Sequence, residues 1–407
     1  MMTSSTTTVC MFTNLYPPAV SGSAIHTYQL SQELAKRGCK VIVITAHLDD
    51  TSPKYEESNN VHVYRILAFK LPKMKLTFNF PWITYTFTPG NLLRIKKIIR
   101  ENDPDVFHLH NHMFDIAFAA MVMRKLTHKP VVLTLHTNMI HSNKVFNFVL
   151  KLIDRLLLKH TVVNKADAVI SPDSNTMSYL QKTFNISDSF LIPYGINVPV
   201  QPAEHEVGNL RRKYGLSGKK VIVSIGHVHE IRNRKDIIEA LPHILKSYAD
   251  TVLLIIGAVN TQTPHKIAQD LGIRHAIIFT GSVPHEEIPG YLALADIETH
   301  WLNQEVPEKT SLGIASLEAM GQGKVVIAAV NTDTYGKDIL KPGVNFVLVE
   351  PDNPLKLAQT IIQLFEDDVT SKNIQQNAAR TIRQHLDWDI ICEKTLGVYQ
   401  QVIKHIH

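Results

Sequence analysis

Short apolar strands alternate with stretches of helical spacing along this chain, and the alternation runs through twice. Residues 9–15 form the first strand. It ends in the Pro/Gly/Ser loop Tyr16-Pro17-Pro18-Ala19-Val20-Ser21-Gly22-Ser23, after which residues 24–37 carry apolar side chains at helical spacing. Gly38 is a helix stop, and residues 40–46 are the next buried strand. A strand–helix–strand opening of this kind predicts a parallel sheet with a right-handed crossover. Residues 106–110, 131–136 and 168–171 supply further strands, each preceded by a helical stretch.

Asn197-Val198-Pro199-Val200-Gln201-Pro202-Ala203 reads as a linker. A second series follows, with strands expected at 221–225, 252–256, 276–280, 297–300 and 325–328. Helices are expected at 236–248, 288–295, 311–321 and 354–365, and residues 388–403 form a last amphipathic helix. No internal repeat or low-complexity tract interrupts the pattern. The expected architecture is α/β: two doubly wound, Rossmann-like domains facing one another across a cleft, with ligands outside the carboxyl ends of the strands. The first domain spans 1–198, with 386–407 crossing back to it, and the second spans 199–385.

A length of 407 residues fits two cores of about 200 residues better than one. Cys10, Cys39 and Cys392 are scattered, with neither a CxxC pair nor a histidine at ligand spacing, so a disulfide framework or zinc site is not expected. The polar start, with no Lys or Arg before the first apolar run, argues against a secretory signal, and no run is long enough to span a membrane. The expected location is cytoplasmic, with peripheral attachment at the inner face of a membrane left open. Residues 1–200 carry 21 Lys+Arg against 13 Asp+Glu, while residues 201–407 carry 21 against 24. A basic first half suits an anionic partner or membrane surface; a chance surface excess is the other reading.

Chemistry is most legible in the second domain. Gly226-His227-Val228-His229-Glu230-Ile231-Arg232-Asn233 follows its first strand, and a glycine turn with Arg232, Arg234 and Lys235 nearby suits a pyrophosphate. In Ser311-Leu312-Gly313-Ile314-Ala315-Ser316-Leu317-Glu318, Thr310 or Ser311 is expected to cap a helix whose first N–H groups receive an anion. Glu318 lies two turns along, where an ionised carboxylate accepts hydrogen bonds from a ribose diol. The alternatives are a solvated basic turn and an ordinary surface glutamate.

These motifs, in this order, resemble the retaining glycosyltransferases of family 4, which have the GT-B fold. Tyr16-Pro17-Pro18 through Gly22, with Leu30, Leu34 and Gly38, resembles the family's first loop and helix. Pro104-Asp105-Val106-Phe107-His108-Leu109-His110, the strand ending in His136, and Ile192-Pro193-Tyr194-Gly195-Ile196-Asn197 resemble later family signals. Phe279-Thr280-Gly281, Ala295-Asp296, Leu317-Glu318-Ala319-Met320, Gly323 and Val326-Ile327-Ala328 complete the set. The resemblance implies that Gly22 allows close backbone approach to the donor phosphate or acceptor, and that His136 sits near the reacting sugar. It implies that Gly226, His227 and Arg232 hold the diphosphate, that residues Thr310, Ser311, Leu312 and Gly313 offer backbone N–H groups to the donor, and that Glu318 binds the ribose. His136, Arg232 and His227 are the candidate catalytic groups.

Three departures stand out. Thr310 takes the place of the first Glu of the family's E-x7-E motif, which Glu308 or Glu305 would have to replace. His227 stands for an Arg, making one phosphate contact pH-sensitive. Ser21 stands for the first Gly of a pair. The implied reaction moves a sugar from a nucleoside diphosphate donor, UDP-linked by family frequency, to a carbohydrate or lipid-linked hydroxyl with retention. No metal or other cofactor and no nucleic acid is expected. A non-catalytic nucleotide-sugar binder and a nucleotide-sugar epimerase of the same fold are the rival readings. Asp387-Trp388-Asp389 has the form of a metal-binding DxD, but it stands at a helix start, where a capping Asp is the better explanation. His108, His110 and His112 read as a polar strand end. Two basic, apolar stretches remain. Residues 144–159 place Val145, Phe148, Leu152 and Leu156 beside Lys151, Arg155 and Lys159, and this stripe is expected to pack into the core. For 70–82, with Lys70, Lys73 and Lys75, core packing and a membrane surface stand as equal readings.

Overall fold

The computed structural model describes residues 7–19, 21–72, 82–139, 143–198, 201–300, 302 and 311–405. The chain divides into two compact units, Met1–Gly195 with Trp388–His407, and Ile196–Asp387. The first is built on an eight-stranded sheet. Its strands are β1 (Thr8–Thr13), β2 (Lys40–His47), β3 (Tyr55–Ser58), β4 (Val61–Leu67), β7 (Val106–His110), β8 (Val131–Thr134), β9 (Ala168–Ser171) and β10 (Phe190–Leu191). They run in the order β10-β9-β8-β7-β1-β2-β4-β3. All pairings are parallel except that of β3 with β4. A separate antiparallel ribbon joins β5 (Phe69–Pro72) to β6 (Trp82–Tyr85); Lys73 and Lys75 lie outside the described residues.

Continuous apolar runs, rather than alternating ones, follow from burial of the sheet on both faces. Cys10, Phe12, Ile42, Ile44, Phe107 and Leu109 enter one core. Their neighbours Val9, Met11, Val41, Val43 and Val106 enter the other. That second face is covered by the helix Gly22–Lys36, through Leu30 and Leu34, and by the helix Trp388–Lys404. Trp388, Ile391, Cys392, Thr395, Val398, Tyr399 and Val402 are its buried residues, the 3–4 spacing of one helix face. Gly195 is required beneath it, because a Cβ there would stand 2.2 Å from the Trp388 ring. The three cysteines are free and buried.

The second unit has one parallel sheet of β11 (Lys220–Ile225), β12 (Thr251–Ile256), β13 (Ile277–Gly281), β14 (Ile297–Thr299), β15 (Val325–Ala328) and β16 (Val347–Leu348). Its order is β13-β12-β11-β14-β15-β16. Val221, Val223 and Leu254 face one core; Ile222, Leu253 and Ile255 face the other. The strand order reverses between β1 and β7 in the first unit and between β11 and β14 in the second. These are the switch points outside whose carboxyl ends doubly wound sheets bind ligands.

Three expectations change. The antiparallel hairpin β3–β4 lies in a stretch with no expected strand. Its signal is Asn59-Asn60, both at positive φ (50° and 66°), the backbone that a two-residue hairpin turn demands. The helix expected at 311–321 begins only at Ile314, with Gly313 as its cap residue, so Ser311 does not cap it. The stripe of residues 144–159 does not pack into the core. The helix Lys144–Ile153, extended by a π turn at Asp154–Leu158, leaves Val145, Phe148 and Leu156 about two-thirds exposed. The sequence carries apolar residues on two sides of this helix, and the core takes the other side. Leu150, Ile153 and Leu158 pack inward, and the buried Asp154 accepts hydrogen bonds from Tyr179 and His112.

The hydroxyl of Tyr399 meets Nδ1 of His108 at 2.6 Å, tying the last helix to β7 where both groups are buried. Tyr399→Phe leaves that ring nitrogen without its partner. We expect a loss of about 1–3 kcal/mol in the unfolding free energy of the first unit, read by urea denaturation. An unchanged midpoint and slope would show that the contact contributes nothing.

Candidate active site

At the end of β11, Gly226 adopts φ +125°, a backbone open only to glycine, and donates its N–H to Ile256 O at 2.8 Å. The loop beyond it carries His227 and Arg232, both exposed. Partial burial lowers the Arg232 guanidinium to about 10, which leaves it a cation at neutral pH. Arg234 behaves differently from its neighbour. It is buried, and its guanidinium is directed inward: Nε donates to Ser224 Oγ (2.8 Å), Nη1 to Arg232 O (2.7 Å) and Nη2 to Gly226 O (3.0 Å). Ser224 Oγ in turn donates to Thr299 O at 2.9 Å. Arg234 is therefore the brace of the loop, while Arg232 is the cation it displays.

Across the switch point, β14 ends in Glu298 and Thr299, followed by His300. Glu298 has no solvent exposure; Oε1 accepts from Ser316 Oγ at 3.1 Å, and Oε2 has no hydrogen-bond partner. Burial pushes this carboxyl up to about 8, against smaller opposing effects of the Ser316 hydrogen bond and the Arg234 charge. It is a neutral acid at pH 7. Nδ1 of His300 lies 3.2 Å from Ser316 Oγ. A Cβ on Gly313 would stand 3.2 Å from Cε1 of His300, so glycine allows the approach of the helix Ile314–Gly321. Burial, then Arg234 and Arg232, keeps the His300 imidazole well below its usual range. His300 thus meets the helix start through Ser316 and Gly313, within the field of Arg234 and Arg232. The segment entering the helix is pinned where Tyr335 Oη donates to Leu312 O at 2.6 Å.

Glu318 is not a surface residue. It is 7% exposed, with Oε1 3.5 Å from Nε2 of the exposed His285, and burial raises its carboxyl to about 7. Of the residues expected at this site, Gly226, His227, Arg232, Gly313 and Glu318 all belong to the second unit, with Ser311 and Leu312 leading into the helix. Thr310, Glu308 and Glu305 lie outside the described residues.

In the first unit, polar groups collect at the carboxyl ends of β7 and β8. His108 and His110 share one strand face, with ring centroids 4.2 Å apart. His110 Nδ1 lies 2.9 Å from His136 Nε2, and His136 Nδ1 lies 2.9 Å from the Tyr194 hydroxyl. Both ring nitrogens of His136 are thus engaged inside this unit. His26, on the helix Gly22–Lys36, packs its ring against His136, Tyr194 and Trp388 at 5.2, 4.6 and 5.4 Å. Burial holds His26 and His108 down at about 3 and keeps His110 and His136 well below the usual range. The cluster is uncharged at neutral pH. His112 is separate, buried 3.1 Å from Asp154. Gly22 opens its helix in open space, with Ser21 as the cap: Ser21 Oγ accepts from Ala24 N at 3.1 Å.

Asp389 of the DxD sequence pairs with Arg37. Among the described residues, no group of three His, Cys, Asp or Glu side chains is placed to hold a metal ion. Sequence reasoning passed over Glu298, Ser316, His300, His26 and Tyr194. For Glu298 and His300 the signal was present, since charged or polar residues interrupt an otherwise apolar strand. Only the fold shows Ser316 turned inward from its helix.

Two α/β units with parallel sheets and polar switch points define a GT-B architecture, and solved structures share it. A glycosyltransferase from Rickettsia africae superposes with a TM-score of 0.74 at 18% identity, covering 98% of this chain and 99% of that one. An Anabaena protein in complex with UDP gives 0.71 at 16% identity, covering 97% and 100%. The family model described as Glycosyltransferase Family 4 matches residues 20–199, and the one described as Glycosyl transferases group 1 matches residues 207–381. An uncharacterized glycosyltransferase of Methanocaldococcus jannaschii is 26% identical, over 96% of this chain and 97% of its own length. A phosphatidyl-myo-inositol mannosyltransferase of Mycobacterium leprae is 25% identical, over 94% and 93%. This chain belongs to the GT-B glycosyltransferases of the family 4 type, and its reaction class is glycosyl transfer.

The buried acid yields a stability signature. Glu298 is raised from 4.5 to about 8, so between those values the folded state binds more protons than the unfolded state, and stability falls as pH rises through the window. The slope from one such group is at most about 1.4 kcal/mol per pH unit. Glu298→Gln cannot ionise. Its stability relative to the parent should therefore increase by several kcal/mol between pH 5 and pH 8, about the product of that slope and the shift. Urea denaturation at both pH values checks this; a constant difference would refute the buried, neutral state.

Proposed function

We propose that this protein transfers a hexosyl group from a nucleoside diphosphate sugar, with UDP as the favoured nucleotide, to an acceptor hydroxyl, with retention and without a divalent metal. One observation carries the reading. At the β11–β14 switch point, the Arg234 and Arg232 charges act on His300, and His300 packs against Gly313 at the start of the helix Ile314–Gly321. A fixed cation and backbone N–H groups there suit the negative charge that grows on a departing diphosphate. In this reading the acceptor oxygen bonds to the anomeric carbon on the face that the phosphate leaves. The C–O bond to phosphate breaks, and the acceptor proton passes to the leaving phosphate oxygen. His227 assists at the diphosphate and Glu318 accepts from the ribose hydroxyls; His136, whose ring nitrogens are both engaged by His110 and Tyr194, is given no contact with the sugar. The Anabaena structure with UDP supports the nucleotide. The mycobacterial relative, named for a phosphatidyl-inositol acceptor, supports a lipid-linked or glycan acceptor and a place in glycan or glycolipid synthesis.

The first test is a thermal-shift screen of nucleotide sugars, followed by product detection by mass in excess EDTA. Stabilisation by one donor, with turnover in EDTA, is the expected result. Turnover lost in EDTA and restored by Mn²⁺ or Mg²⁺ excludes metal independence. Binding without turnover favours a non-catalytic relative, and an epimerised free donor an epimerase. Arg232→Ala should lower kcat by about 10²–10³-fold, the scale of one lost charge-stabilising donor, with the fold intact; a parental kcat at saturating donor excludes the role.

Glu318 adds a pH signature. An ionised acceptor at a group raised to about 7 means that a nucleotide sugar should bind about tenfold more tightly at pH 8 than at pH 6. In Glu318→Gln that gain should disappear. Calorimetric titration of parent and variant at the two pH values decides it: equal pH responses remove Glu318 from the ribose.

A further inference from the structure

We propose that Glu230 is a positioning residue for glycosyl transfer: its carboxylate ties the loop that displays Arg232 to the loop after β12, and so sets Arg232 before the donor arrives. The inference rests on the proposed function in one respect, that Arg232 meets the diphosphate.

The loop after β11 has little regular structure of its own. A single helical turn, Glu230–Arg232, is closed where Arg232 N donates to His229 O at 2.8 Å. Asn233 Nδ2 donates to Glu230 O at 2.9 Å. An arginine on so short a turn would sample many positions if nothing else held it, and each binding event would have to order it again.

The order comes from the neighbouring loop. Val228 N donates to Ala258 O and Asn260 N to Val228 O, both at 2.8 Å, so the backbones of the two loops are stitched together. Their approach is close: a Cβ on Gly257, whose φ is +133°, would stand 2.5 Å from Gly226 O. Glu230 extends the same seam with its side chain. Oε1 accepts from Thr261 Oγ1, and Oε2 accepts from Thr263 Oγ1 at 3.0 Å. Thr261 is buried, and its Oγ1 accepts in turn from Thr263 N at 3.3 Å. Thr263 opens the helix Thr263–Asp270, and a negative group is favoured at that end of a helix.

Both carboxylate oxygens are thus engaged by the β12 loop, which makes Glu230 an anchor and not a base for the acceptor. Arg232 stands between it and a second anchor. Two residues before Arg232, Glu230 is fastened to Thr261 and Thr263; two residues after it, Arg234 is fastened to Ser224 and to Gly226 O. Arg234 holds the inner side of the loop, and Glu230 holds the outer side. A carboxylate suits the outer place because it takes two hydroxyl donors at once.

The test measures loop order and nucleotide affinity in the same variants, with UDP as the probe. In Glu230→Ala, hydrogen–deuterium exchange of the amides of residues 231–233 in the nucleotide-free protein should speed up on the order of tenfold, the scale of one or two lost hydrogen bonds. Calorimetric titration should show UDP bound about tenfold more weakly, with circular dichroism melting as in the parent. Thr261→Val removes one donor from the other side of the seam and should give the same exchange signature at smaller size. Glu230→Gln keeps an acceptor for one threonine and a donor for the other, and should restore both readouts to within about threefold. In the Arg232→Ala background, Glu230→Ala should weaken UDP by less than about twofold further, because the group it positions is gone. Parental exchange in Glu230→Ala overturns the proposal whatever the nucleotide. So does an affinity loss of equal size with and without Arg232, which would give Glu230 a role of its own. Faster exchange in Glu230→Ala, in a parent that binds no UDP, upholds the tie and counts instead against the nucleotide in the proposed function.

Discussion

A parallel sheet has to be covered on both faces, and most of this structure follows from that requirement. Alternate residues of β1 and β2 enter different cores, so each strand reads as a solid apolar run. The cover over one face of the first sheet is completed from a distant part of the sequence, by Trp388 to Val402. The chain must therefore return to its first unit after finishing the second. Because all six strands of the second sheet point one way, their carboxyl ends share one edge, and groups far apart in sequence meet there.

The same desolvation acts on opposite chemistries in the two units. Burial removes charge from the histidines of the first unit and also from Glu298 in the second. The first unit therefore presents a hydrogen-bonding but uncharged cluster around His136. In the second, Glu298 is silenced while Arg232 and Arg234 remain cations. A positive site whose nearest buried acid is neutral suits an anionic ligand. Arg234 is what makes Arg232 useful: by holding Ser224, Gly226 and the Arg232 carbonyl, it sets the loop before any ligand arrives.

The helix Lys144–Ile153 shows how a fold selects between faces that a sequence leaves equivalent. It has two apolar sides, and hydropathy alone favours neither. Asp154 decides, because a carboxylate accepting from His112 and Tyr179 is stable inside, while its Lys and Arg neighbours are stable only with their charges at water.

The sequence by itself determined the repeating strand–helix order, the parallel sheets and the positions of β7, β9 and β15, since apolar periodicity and turn residues act over a few neighbours. It also marked Gly226 and Arg232, through the glycine turn and the cations after the first strand of the second unit, and Gly313 and Glu318, through their place in the family resemblance. Only the tertiary structure decided that Arg234 faces inward while Arg232 faces out, two residues apart in the same loop. Only it decided that Glu298 stands under Ser316, that both nitrogens of His136 are taken by His110 and Tyr194, and that Phe148 stays outside. Each of these turns on which distant atoms surround a polar group and exclude water from it. Side-chain charge and hydrogen bonding depend on that environment, and residue identity alone does not contain it.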